Sequence, residues 1–196
     1  MCGEIMTNDD IKILAIDQAR NGAWAIFDYQ SKKLVTYGTF SYDNKSFTYA
    51  KAILAIENLV DSLIKSYGIS AVFIEDIQLR ANVQSFKKLA QLQGVLVNLF
   101  EKNEYLYDFV APSQWQNYCK ARSRTTKEIK EKIKALEASG KKESKILSIQ
   151  AAKALYGIDT DNDNLADSIM IGHYAVNHFK IERNAQNGKT KYRFNQ

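Results

Sequence analysis

The 196 residues, 45% apolar and 25% charged, suffice for one domain with a sizeable core, and no linker argues for two. No apolar run approaches the roughly 20 residues of a membrane span, residues 1–10 are too polar for a secretory leader, and Cys2 and Cys119 make neither a disulfide framework nor a zinc site. A reducing, cytoplasmic setting follows, and with only two histidines any metal chemistry falls to carboxylates, hence to magnesium or manganese.

In chain order, the apolar run Ile11 to Ile16 reads as a buried strand ending on Asp17. Arg20-Asn21-Gly22 turns it into a second strand, Ala23 to Phe27, and Lys33 to Phe40 makes a third. Apolar residues at helical spacing over 47–67 predict a helix stopped by Gly68, followed by a buried strand from Ala71 to Ile77. A long helix is expected from Arg80 to Glu101, with Val83, Phe86, Leu89, Ala90, Leu96 and Phe100 in its core. Gly94 in its middle implies close contact with a neighbouring element. A fifth strand, Tyr105 to Ala111, is closed by Pro112, and Ser113 with Gln116 reads as a capping box for a short helix. Thr125-Thr-Lys-Glu128 opens a basic helix to Ala138, Lys142 to Tyr156 is another helix, and a last one runs from about Asn162 to Phe179. Residues 183–196 are polar and basic and are expected as a flexible tail after a single domain over 1–182. Short turns make the first three strands antiparallel, and helical crossovers make the later ones parallel. The fold class is therefore α/β, a mixed five-stranded sheet with helices on both faces.

The net charge of +5 is unevenly placed. Residues 120–145 hold ten basic and four acidic side chains, +6 locally, while the remainder is close to neutral. Basic charge gathered in one segment is what a polyanion-binding surface needs. Lys120, Arg122, Arg124, Lys127, Lys141, Lys142 and Lys145 are its candidate nucleic-acid contacts. Glu–Lys pairs such as Glu128 with Lys132 also allow a merely solvated helix.

Two strands that are apolar throughout end in acids, Asp17 and Glu75. Buried carboxylates are costly unless paired or bound to a cation. Parallel neighbours would bring both to one sheet edge, where open α/β sheets place ligands. Alternation separates Glu75 from Asp76, so Glu75 is chosen. Asp163, Asn164 and Asp167 share a face of the last helix. Charge near a helix start explains Asp161, whereas Asp167 lies a full turn inside and becomes the third ligand. Such acids can hold two metals for in-line phosphodiester hydrolysis, and magnesium suits the oxygen ligands, with manganese as a substitute. His173 reads as a core or interface residue, and Trp24 and Trp115 as packing residues, with Trp115 also placed to touch DNA.

On Ile-Leu-Ala-Ile-Asp17, on Val-Phe-Ile-Glu75 followed by Leu-Ala-Gln-Leu-Gln-Gly94, and on Asn-Leu-Ala-Asp167-Ser, the chain resembles the RuvC-like Holliday junction resolvases of bacteria and phages, within the RNase H-like superfamily. The likeness spans most of residues 11–177. It implies catalysis by Asp17, Glu75 and Asp167 with two magnesium ions, and a phosphate or transition-state role for Lys145. It also implies a homodimer that nicks a four-way junction symmetrically, with no small-molecule cofactor and no membrane partner. Where the family has a further Asp or His three residues before its last aspartate, this chain has Asn164 with Asp163 beside it, so the fourth ligand stays open between them. Where some members insert an aromatic wedge after the glutamate, it has Gln78-Leu79. The basic helix over 125–138 is longer than the family needs and reads as an added DNA-binding element. Small size and a composition rich in lysine, asparagine and isoleucine suit a phage protein working in a host cytoplasm. Two alternatives carry the same fold: an RNase H-type nuclease for RNA–DNA hybrids, and a junction-binding protein without cleavage, motivated by Asn164. An actin-like ATPase would need glycine-rich phosphate loops that are absent.

Overall fold

The computed structural model describes residues 11–42, 45–79, 82–121, 134, 143–183 and 190–194. Alternation dictates the centre. In β1 (Lys12–Asp17), Ile13 and Ala15 enter one core while Leu14 and Ile16 enter the other, so the strand is covered on both faces. It pairs antiparallel with β2 (Asn21–Asp28), which pairs antiparallel with β3 (Leu34–Ser41). On its other side β1 pairs in parallel with β4 (Ile69–Glu75), and β4 with β5 (Tyr107–Val110). The order β3-β2-β1-β4-β5 is the expected mixed sheet.

The crossover from β3 to β4 is α1 (Tyr49–Tyr67), capped by the Thr48 hydroxyl and ended by Gly68, whose φ of 64° is left-handed and favours glycine. The crossover from β4 to β5 is α2 (Val83–Lys102), capped by Asn82. These two helices cover one face, burying Ile56, Val60, Leu92, Leu96 and Phe100 against Leu14, Ile16, Val72 and Ile74. The opposite face is covered by α3 (Pro112–Tyr118), α4 (Glu143–Tyr156) and above all α5 (Asp163–His178), which carries ten buried residues.

Several expectations are revised. Helix α2 buries only Leu92, Leu96, Leu99 and Phe100; Val83 is 49% exposed, and Phe86, Leu89 and Ala90 are half-buried, because the amino-terminal half of the helix borders an open cleft at the ends of β1 and β4 rather than the core. Gly94 faces open space within the chain, so no neighbouring element explains it. Helix α3 starts at Pro112 rather than after Ser113. Proline's fixed φ suits the first helical position, and Gln114 Oε1, not Gln116, accepts from the Ala111 N–H at 3.0 Å. The stretch expected as a flexible tail contributes β7 (Thr190–Phe194), paired antiparallel with β6 (Phe179–Arg183). Strand β6 is tied to the end of β2 by the Tyr29 hydroxyl, which donates to Phe179 O and accepts from Ile181 N. The basic helix expected over 125–138 lies outside the described residues, apart from Lys134, which is helical and exposed.

Candidate active site

Asp17 and Glu75 are the residues next beyond the paired Ile16 and Ile74, so they leave adjacent parallel strands side by side. Counting back by two, Asp17 shares a face with Ala15 and Glu75 with Phe73, and both of these belong to the core under α5. The two carboxylates therefore point to the same side of the sheet, and Asp76 to the other. Asp17 is only 8% exposed.

Helix α5 runs antiparallel to β1 over this face. Near its carboxyl half, Gly172 lies against Phe27 and Ala15, so closely that an added Cβ would stand 2.3 Å from Phe27 Cε2 and 3.2 Å from Ala15 Cβ. At its start, Asn164 Nδ2 donates to Asn21 O at 2.9 Å, at the mouth of β2. Between these anchors, Asp167 lies about 7.5 Å along the helix from Gly172, and Asp17 about 7 Å along the strand from Ala15. Asp167 thus stands level with Asp17, with Asp163 and Asn164 one turn nearer the edge. The Asn162 side chain, accepting from Leu165 N at 3.2 Å, caps the helix there.

Around the two strand ends is a cleft of about 310 Å³, lined among others by Asp17, Gln18, Glu75, Asp76, Asn82 and Phe86. Asp167 is not part of its wall. Among the described residues no three Asp, Glu, His or Cys side chains stand close enough to share a metal ion. The structure thus joins Asp17 and Glu75 and brings Asp167 to the same edge without closing a three-carboxylate cage. As chemistry, the donor set fits magnesium: hard carboxylate oxygens beside a cleft open to water.

Two residues bear on the site that sequence reasoning missed. Gln18, 5% exposed, donates from Nε2 to the Glu75 carbonyl at 2.9 Å, clamping the ends of β1 and β4 together, while its Oε1 is buried without a hydrogen-bond donor. Trp115, 1% exposed, donates from its indole nitrogen to Glu75 Oε1 at 3.0 Å. Burial removes Trp115 from the DNA-contact role considered for it. The general signal is that a buried indole N–H needs an acceptor, but the sequence does not say which one.

Of the basic candidates, Lys120 is exposed, on a left-handed backbone just after α3. Lys145 lies in the first turns of α4, where the backbone alone is described. Arg122, Arg124, Lys127, Lys141 and Lys142 fall outside the described residues. His173 is half-buried, with Nδ1 2.6 Å from the Tyr156 hydroxyl, and burial lowers its pKa. It packs as a structural residue near the far end of α5.

A family model described as crossover junction endodeoxyribonuclease RuvC matches residues 13–155. The chain belongs to the RuvC family. The match includes Asp17 and Glu75 and stops before α5. The fold agrees over nearly the whole chain. Thermus thermophilus RuvC, solved alone and in complex with a Holliday junction substrate, superposes with a TM-score of 0.63 at 12% identity. These alignments cover 93% of this chain and 99–100% of that one. The yeast mitochondrial Holliday junction resolvase gives 0.51 at 13% identity, over 86% of this chain and 78% of its own. The fowlpox virus Holliday junction resolvase gives 0.50 at 16%, over 85% and 99%. The RuvC-family chain is thus RNase H-like in fold. No curated protein matches it in sequence. No described helix is long and apolar enough to cross a membrane.

Proposed function

We propose that this chain is a magnesium-dependent endodeoxyribonuclease that resolves four-way DNA junctions by paired, symmetric phosphodiester hydrolysis. The observation that carries the reading is the placement of Asp17 and Glu75 on one face at the ends of adjacent parallel strands, in a chain of the RuvC family. Asp17, Glu75 and Asp167 would hold the metal, with Asp163 or Asn164 as a fourth donor. Held there, two magnesium ions, or manganese in their place, would supply Lewis-acid chemistry for activating water and for stabilising the leaving oxygen.

The residues around them do the rest. Gln18 holds the two strand ends in register, and the buried setting of Asp17 keeps its carboxylate from wandering. Asn164 fixes the opening of α5 against β2, and so sets how far Asp167 stands from Asp17. Lys145 and the basic residues of 120–145 receive the DNA backbone, and Lys120 is exposed to do so. A homodimer puts two such sites on the two strands of a junction. The outer side of α2, with Val83 exposed and open space at Gly94, offers it a surface.

The test uses a synthetic four-way junction, linear duplex and an RNA–DNA hybrid, with wild type and Asp17→Asn, in magnesium and in EDTA. Paired symmetric nicks in the junction that need both magnesium and Asp17 are the expected result. Tight junction binding with no cleavage in any metal would overturn the nuclease reading, and cleavage of the hybrid alone would replace the substrate.

A further inference from the structure

We infer that Trp115 is a positioning residue for the cation-binding carboxylate of Glu75, its buried indole N–H fixing the orientation in which that carboxylate meets metal. The inference rests on the reading of Glu75 as a metal ligand.

The corner that delivers Trp115 is built for placement. Val110 of β5 pairs with Glu75 of β4, so the chain leaves β5 directly beside the carboxylate. Pro112 then fixes the first helical φ, and the Gln114 side chain secures the Ala111 N–H. Trp115 follows within the first turn and is the largest of the fully buried side chains. The far end of α3 is held to α5 by the Cys119 thiol, 3.6 Å from Met170 O. The indole is thus clamped between the sheet edge and the helix that carries Asp167, with its nitrogen 3.0 Å from Glu75 Oε1.

Packing alone accounts for a large apolar side chain here, but not for the direction of its single polar atom. A buried N–H must find an acceptor, and this one takes a carboxylate rather than a backbone carbonyl. An indole is a neutral donor. It restricts the carboxylate's rotation without cancelling the charge that attracts a cation, as a lysine or arginine in its place would. Donors of this kind to first-ligand side chains set metal affinity in known metalloproteins.

The experiment exploits the two tryptophans of the chain, Trp24 and Trp115. In a Trp24→Phe protein all tryptophan emission comes from Trp115. Magnesium added without DNA is expected to shift that emission in a saturable way, and Glu75→Gln in the same background to abolish the shift. In parallel, calorimetric titration of manganese into metal-free Trp115→Phe is expected to show roughly 10- to 100-fold weaker binding than wild type. Should Trp115→Phe fail to fold, the emission of Trp115 decides alone. Silence of that emission in a protein that cuts junctions with magnesium would overturn the inference and leave the nuclease reading standing. A saturable, Glu75-dependent response in a protein that cuts no junction would uphold the inference and sink the nuclease reading. Absence of metal binding in wild type overturns both.

Discussion

Asp17 is, among the described residues, the one buried side chain that ordinarily carries a charge. It is a carboxylate 8% exposed at the end of a strand with no exposed residue. In Asp17→Asn the shape stays and the charge goes, so cleavage should fall by orders of magnitude while junction binding persists, as a gel-shift assay in calcium would show. His173 offers a second residue-scale test, away from the site. Its imidazole meets the Tyr156 hydroxyl and the Tyr118 ring, and burial first, then the charges of His178 and Lys32, hold its pKa below the ordinary 6.5. The unfolded chain then takes up a proton at higher pH than the folded one, so stability drops as pH falls through about 6.5 and is steady above it. Urea midpoints between pH 8 and 5 should show that slope, and His173→Gln should flatten it. Both carboxylates at the strand ends were legible in the sequence, because a charge closing an apolar run advertises itself. Trp115 was not. Nothing in a one-dimensional pattern tells which acceptor an indole will find 40 residues away.

At the scale of elements, the seating of α5 on β1 and β2 governs where Asp167 stands. Gly172 permits the close approach, and Phe27 cannot move aside freely with the Tyr156 ring 5.5 Å from it. Gly172→Ala should therefore lift the helix and cost about 1–3 kcal/mol in a urea titration. Cleavage should fall further than that loss explains, since Asp167 is displaced from Asp17. Helix and strand identities followed from periodicity, and the five strands of the main sheet emerge within a few residues of expectation. Ends were harder. Proline at the first position of α3 outweighed the apparent serine cap. The hairpin of β6 and β7 was missed although Phe179, Ile181, Tyr192 and Phe194 alternate with polar residues, because Phe179 also closes the apolar pattern of α5 and the attachment runs through the distant Tyr29 hydroxyl.

For the whole molecule the unequal charge matters most, +6 over residues 120–145 against a nearly neutral remainder. If that segment receives the DNA backbone, replacing Lys127, Lys141 and Lys142 by glutamine should weaken junction binding. It should also shrink the slope of log K against log salt by about 2 to 3. Fluorescence anisotropy across a salt series measures both. An unchanged slope would return the segment to a solvated helix. The order of the sheet and the two-sided core were readable from the alternation of strands and crossovers, whereas the spacing of carboxylates contributed by residues 17, 75 and 167 is a property of the folded whole. That spread has a consequence for how the protein is made. Four of the five main strands pack against α5, which follows all five of them in the chain. A chain cut between residues 75 and 163 would hold two of the three proposed acids and lack the helix that brings ten buried residues to that face, so it should neither fold nor cut. On the proposed reading, any hazard to the surrounding nucleic acid begins only once α5 has closed over the sheet.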